Sequence, residues 1–196
     1  MTDRSRYTLY VTDATEDFDV DDALARLPEQ RRRYALSLRH DRDRRNAIAA
    51  YTLLRDALRD VYDIDDAPLF GYRDGGKPYI IGHEDVHFNI SHCRAAVACV
   101  VADRLVGVDI ETVRPFNETL ARAVLSPDEL KRTLAAPRPA EHFITLWTRK
   151  ESYLKMTGEG IRRNLRTMRT DDAEFFTSVY GAAKYICTVC IGRTEQ

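Results

Sequence analysis

Apolar and polar positions change their period several times along this chain, and the changes mark its elements. Arg6–Ala14 (RYTLYVTDA) alternates with a period of two, which predicts a strand. Leu27, Pro28 and Glu29 read as a helix start with proline at the first helical position. Over Asn46–Tyr62 the period becomes helical, with Ala47, Ala50, Leu54, Leu58 and Val61 on one face. Gly71–Ile80 (GYRDGGKPYI) reads as a loop passing into a strand. VHFNIS, AAVACVVAD and RLVGVDI then follow as strands, the last two joined by a short turn at Asp103 and Arg104. Leu125–Leu130 opens a helix with Ser126 as N-cap, Pro127 behind it and Glu129 closing a capping box. Leu146–Gly160 (LWTRKESYLKMTGEG) is a further helix, stopped by Gly158 and Gly160. Strands around Phe176–Tyr180 and Lys184–Ile191 close the chain.

The order strand, helices, strands therefore occurs twice. It predicts an α+β fold built from two similar α/β halves, residues 1–104 and 105–196, joined near Leu105. The groove between them is the natural place for a site.

Composition narrows the class. With 44% hydrophobic and 31% charged residues, the 196-residue chain can bury a core. No apolar run approaches the length of a membrane span, and MTDRSRYTLY lacks the apolar centre of a signal peptide, so a cytoplasmic protein without membrane contact is expected. A net charge of -1 argues against a general nucleic-acid binder. Charge is uneven, however: Arg31–Arg45 carries seven arginines against two aspartates, either a solvated helix face or an edge suited to phosphate oxygens. The four cysteines form no disulfide framework. Cys187 and Cys190 make one CTVC, but Cys93 and Cys99 lack the spacing of a second zinc-ribbon pair, so buried free thiols are expected.

Four stretches could carry chemistry. In VGVDIE, Asp109 and Glu111 share one face of a strand, where two carboxylates repel unless a cation or donors neutralise them. A hard divalent ion such as Mg²⁺ resolves that conflict, and a strand end emerging into solvent is the plain alternative. In FNISHC, Asn89 and Ser91 share a face opposite Phe88 and Ile90, and His92 ends the strand. Ser91 and His92 are neighbours facing opposite sides, which disfavours a serine-hydrolase pair and leaves a phosphate contact or a local backbone role. GGKP delivers Lys77 on a turn without Walker-loop spacing. Trp147, Glu151 and Lys155 stand at i, i+4 and i+8, one helical stripe.

Taken in order, GKP, FNISH, VGVDIE and WxxKExxxK followed by GxG resemble the 4′-phosphopantetheinyl transferases, of the larger monomeric type that activates carrier proteins of peptide and polyketide synthetases. The resemblance covers about Arg42 to Ile161. It implies a pseudo-dimeric fold with coenzyme A in the cleft between the halves. Asp109, Glu111 and Glu151 match the family's Mg²⁺ ligands, and Lys155 matches the lysine at the coenzyme A pyrophosphate. Ser91 and His92 match the pair contacting the cofactor's phosphates, Lys77 the GKP lysine near the nucleotide, and Arg42 or Arg45 the basic contacts to the 3′-phosphate. The chain departs from the family at Cys93, where serine is usual.

The implied reaction moves phosphopantetheine from coenzyme A to a serine of an apo acyl or peptidyl carrier protein, releasing 3′,5′-ADP. Glu151 or a water held by the cation takes the serine proton, and Trp147 packs between the halves. Lys150 either touches the nucleotide or snorkels at the surface. Two other readings remain open: another Mg²⁺-dependent phosphoryl-transfer enzyme acting on nucleotides, and a non-catalytic coenzyme A-binding relative.

Overall fold

The computed structural model describes residues 6–13, 15, 17–160, 164–181 and 185–193. Ala14, Ile161 and Lys184, which bound segments named above, lie outside them, as do residues 1–5.

The elements run β1 (Thr8–Thr12), α1 (Val20–Ala25), α2 (Glu29–Ser37), α3 (Asp41–Tyr62), β2 (Phe70–Tyr72), β3 (Pro78–Ile80), β4 (His87–His92), β5 (Val97–Ala102) and β6 (Val106–Thr112). Then come α4 (Glu118–Val124), α5 (Pro127–Ala135), α6 (Pro139–Thr157), a 3₁₀ turn (Leu165–Thr167), β7 (Ala173–Tyr180) and β8 (Tyr185–Gly192). One antiparallel sheet has the order β1-β5-β4 and another the order β6-β8-β7, with β2 and β3 forming a separate hairpin. In both larger sheets the first strand in the sequence pairs with the last, and the middle one lies at the far edge.

Alternation decides how these sheets pack. Ala98, Val100 and Ala102 of β5 and Leu9 and Val11 of β1 meet Val106, Val108 and Ile110 of β6 and Cys187, Val189 and Ile191 of β8 in one core. The opposite face of the first sheet carries Cys99 and Val101, covered by Leu54, Ala57 and Leu58 of α3. On the opposite face of the second sheet, Ala173 and Cys190 meet Tyr153 and Met156 of α6. Strands buried on both faces need apolar residues at nearly every position, which explains the unbroken run VACVVA. All four cysteines are buried free thiols. Among the described residues, no helix is long and apolar enough to cross a membrane.

Several boundaries differ from the sequence reading. Helix α3 starts at Asp41, before the apolar period begins; its first turn is wholly polar. Val61, expected on the buried face, is 37% exposed, whereas Ala57 is fully buried. Pro28 is the N-cap of α2 rather than its first helical residue. Gly71–Ile80 holds most of a hairpin, with residues 73–77 turning between β2 and β3, where a loop leading into one strand was expected. Trp147 packs on Phe143 beside Val124, Leu125 and Ile186, all from residues after Leu105, and not between the halves. The capping box at Ser126 and Glu129 is present as expected.

Candidate active site

The two sheets meet where β4 runs beside β6, and polar side chains of β4 stitch the junction. Asn89 Oδ1 accepts from the Val108 amide at 2.9 Å, and Ser91 Oγ accepts from the Ile110 amide at 3.3 Å. Asn89 and Ser91 stand two residues apart on one strand face, so their reach matches alternate amides of the neighbouring strand. Between those amides lies Asp109, only 4% exposed.

Asp109 stands on the β6 face that α6 covers. Gly107, two residues earlier, lets the helix approach: a Cβ there would lie 2.1 Å from the Ser152 carbonyl oxygen and 2.5 Å from the Met156 amide. That closeness brings Glu151 and Lys155 to the carboxylates of β6. Lys155 Nζ donates to Asp109 Oδ1 at 2.6 Å and to Ser91 Oγ at 2.8 Å. Ser91 Oγ in turn donates to Asp109 Oδ1 at 3.0 Å. Asp109 Oδ2 and Glu151 Oε1 are buried without a hydrogen-bond partner among the described residues.

Electrostatics follow from this crowding. Burial, then the charge of Asp109, raises the Glu111 carboxyl above the ordinary range, with Glu151 adding a smaller push and Arg114 and Lys155 pulling back. Glu151 is raised by the same two causes in the same order, against Lys155. His92, at the end of β4, is lowered by burial and then by Lys155 and Arg42, so its imidazole is mainly neutral at pH 7. Asp109, Glu111, Glu151, Lys155, Ser91 and His92 thus share one neighbourhood.

Other expected residues lie differently. Arg42 sits in the exposed first turn of α3, and its charge reaches His92. Arg45 is committed within the protein: it pairs with Asp41 at 2.8 Å, donates to the Phe18 carbonyl at 2.9 Å and lies over the Phe18 ring. Lys77 is 9% exposed and donates to the carbonyl oxygens of Val106 at 2.9 Å and Met156 at 2.7 Å. It thereby ties the GGKP turn to β6 and to the C-terminus of α6. Lys150 does not snorkel: its buried ammonium pairs with Glu129 at 2.9 Å and donates to the Leu165 carbonyl at 2.6 Å. Cys93 is buried in the core between the sheets.

Two concavities adjoin the cluster. One, of about 310 Å³, is lined by Gly75–Pro78, Glu151, Lys155 and Gly158. A larger one, of about 730 Å³, reaches from His92 across Asp43 and Pro78 to Tyr34, Tyr51, Phe70 and Arg31. The Arg31 guanidinium stands 4.9 Å from the Tyr34 ring centre, 5.4 Å from that of Phe70 and 5.6 Å from that of Tyr51, with a buried Nε that lacks a hydrogen-bond partner among the described residues. The sequence marks the arginine run but not Arg31 within it; Tyr34, one helical turn on, is the signal it offers.

Among the described residues, no three Asp, Glu, His or Cys side chains are grouped so as to hold a metal ion. The cation on Asp109 is the Lys155 ammonium. By donor chemistry the carboxylates still fit a hard divalent ion, because Asp109 and Glu151 each have a buried oxygen with unused lone pairs and Glu111 and Glu151 are disfavoured as anions.

The family model of the 4'-phosphopantetheinyl transferase superfamily matches residues 105–189. A 4'-phosphopantetheinyl transferase of Bacillus subtilis is 31% identical over 159 residues, covering 79% of this chain and 70% of the relative. 4'-Phosphopantetheinyl transferase Sfp of Bacillus subtilis strain 168 is 31% identical over 125 residues, covering 62% of this chain and 56% of its own. The transferase HetI of Nostoc is 33% identical over 129 residues, covering 61% and 54%. The chain therefore spans about two thirds of the first relative and little more than half of the other two. Among solved structures, Thermotoga maritima holo-[acyl-carrier-protein] synthase overlaps 46% of this chain and 63% of its own, at 18% identity and a TM-score of 0.36, too loose an overlay to carry an argument.

Proposed function

Since the chain belongs to the 4′-phosphopantetheinyl transferase family, we propose that it transfers the 4′-phosphopantetheine group of coenzyme A to a serine of an apo acyl or peptidyl carrier protein, with Mg²⁺ as cofactor and 3′,5′-ADP as the second product. The observation that carries this reading is the buried Asp109, flanked by Ser91, Lys155 and the two raised carboxyls Glu111 and Glu151. Such crowding of anions has a cost that a phosphoryl-transfer site offsets with cations.

In the proposed reaction the serine oxygen attacks the β-phosphorus of coenzyme A. A new O–P bond forms as the bond from that phosphorus to the bridging oxygen breaks, and the electron pair leaves with 3′,5′-ADP. Glu151 accepts the serine proton. Lys155 neutralises charge growing on the leaving side. His92, largely neutral, is available to donate to phosphate, and Arg42 adds positive charge beside it. Asp109, Glu111 and Glu151 would hold Mg²⁺, which when bound withdraws charge from the pyrophosphate. Arg45 and Lys77 are the weaker members of the expected coenzyme A set, because their cationic groups already have partners inside the protein. The aromatic concavity beyond His92 gives the nucleotide end a place, with Arg31 as a cation the expected set lacked.

The proposal includes a pseudo-dimer of halves 1–104 and 105–196 with the site in their cleft. The shared first-last-middle strand order supports it. A monomeric, cytoplasmic enzyme free of nucleic acid and membrane contact completes the reading. Mass spectrometry of several apo carrier proteins after incubation with the enzyme, Mg²⁺ and coenzyme A tests it. A gain of one phosphopantetheine on a serine is expected; unmodified carriers throughout, with coenzyme A intact, would contradict it.

A further inference from the structure

We infer that Lys155 and a divalent cation compete for Asp109, so that the cation binds there only as the Lys155 ammonium swings off the carboxylate. The inference rests on the metal reading proposed above. Its basis is the contact itself: Lys155 Nζ lies 2.6 Å from Asp109 Oδ1, an oxygen that also receives the Ser91 hydroxyl. A doubly charged ion on the same buried carboxylate would face the ammonium at a few ångströms in a medium of low dielectric, where like charges repel strongly.

The side chain has somewhere to go. Lys155 keeps 30% of its side-chain surface exposed, against 6% for Asp109, and it also lines the concavity of about 310 Å³ beside Gly75 and Gly158. Swinging into that space places the ammonium where an anionic substrate can receive it. Cation entry thus prepares the lysine for phosphate, and phosphate draws the lysine away from Asp109. Each ligand favours the other through one side chain, and coupling between sites is reciprocal. The structure also assigns the remainder of the pair: Ser91, fixed by the Ile110 amide, holds Asp109 in place while the lysine moves.

Mn²⁺ binding to the full chain, followed by electron paramagnetic resonance without coenzyme A, tests this. Lys155→Met, which keeps the stem and removes the charge, is expected to bind Mn²⁺ at least tenfold more tightly than wild type, and Lys155→Arg no more tightly than wild type. Coenzyme A should tighten Mn²⁺ binding to wild type more than to Lys155→Met. Equal or weaker Mn²⁺ binding by Lys155→Met would overturn the competition while leaving the metal site standing. No Mn²⁺ bound by any variant, or binding that survives Asp109→Ala, would overturn the metal reading and the inference with it. Should Lys155→Met fail to fold, the Lys155 Nζ resonance of unmodified protein decides: Mg²⁺ is expected to shift it, and an unmoved resonance under saturating Mg²⁺ contradicts the exchange.

Discussion

Gly107 lies directly beneath Ser152: a Cβ on this glycine would stand 2.1 Å from the Ser152 carbonyl oxygen, closer than packed atoms allow. The absence of a side chain at one position of β6 therefore sets how near α6 lies to it, and with that the distance from Glu151 and Lys155 to Asp109. Gly107→Ala must push the helix outward. Overpacking of this kind costs about 1–3 kcal/mol. A lower melting temperature is expected together with a loss of turnover that excess Mg²⁺ does not restore. Wild-type turnover in a destabilised variant would show that the helix position is uncritical.

Lys155→Ala is expected to keep the fold but reduce turnover more than a hundredfold. Removing one preorganised stabiliser of transition-state charge costs about 3 kcal/mol. Steady-state kinetics with coenzyme A and an accepted carrier protein measure this directly, and turnover within a few fold of wild type would remove the lysine from the chemistry.

Lys77 gives a pH signature of stability. Burial, aided by repulsion from Arg73, pushes its ammonium down to about 8, whereas an unfolded chain keeps it near the ordinary 10.5. Between those values the unfolded state holds the proton and the native state does not, so this group's contribution to stability rises with pH, by up to about 1.4 kcal/mol per unit. Below pH 8 both states are charged and the full desolvation cost is present. Denaturant unfolding of wild type and Lys77→Met from pH 7 to 10.5 should show the difference between them shifting in favour of wild type as pH rises. A constant difference across that range would contradict a strained ammonium.

How much of this was legible in the sequence depended on the range of the interaction. The capping box at Ser126 and the stripe Trp147-Glu151-Lys155 are local, and both read correctly as helix features. The strand faces of FNISH and VGVDIE were equally readable, because a period of two decides which residues stand together. What alternation could not reveal is that the two strands lie side by side, so that Ser91 reaches Asp109 and the Ile110 amide across the sheet junction. Long-range partners also decide whether a cation is available. Arg45 turns to Phe18, Lys150 to Glu129, and Lys77 to two backbone carbonyls, each from a separate part of the chain. The start of α3 escaped because Asp41–Arg45 is polar all round and has no apolar period to read.

The thiols should be inert. Burial pushes Cys187 and Cys190 up to about 12, which keeps both protonated at neutral pH and unsuited to metal or nucleophilic work. The double substitution Cys187→Ser and Cys190→Ser is expected to retain catalysis at a modest stability cost. Iodoacetamide should label neither thiol in folded protein. Stoichiometric zinc that disappears in the double variant would contradict this.

The claim on which the account rests is that Asp109, Glu111, Glu151 and Lys155 form one site where metal and coenzyme A meet. Both ligands relieve charge that the other brings, so they should bind with positive coupling, typically ~1–3 kcal/mol. Asp109→Ala is expected to abolish coupling and activity together, whereas Glu111→Ala keeps residual activity, since water readily completes the shell of Mg²⁺. Calorimetric titration of coenzyme A with and without Mg²⁺, on wild type and on Asp109→Ala, is the most direct measurement. The account predicts tighter binding with Mg²⁺ in wild type and no Mg²⁺ effect in Asp109→Ala; equal affinities in all four titrations would contradict it.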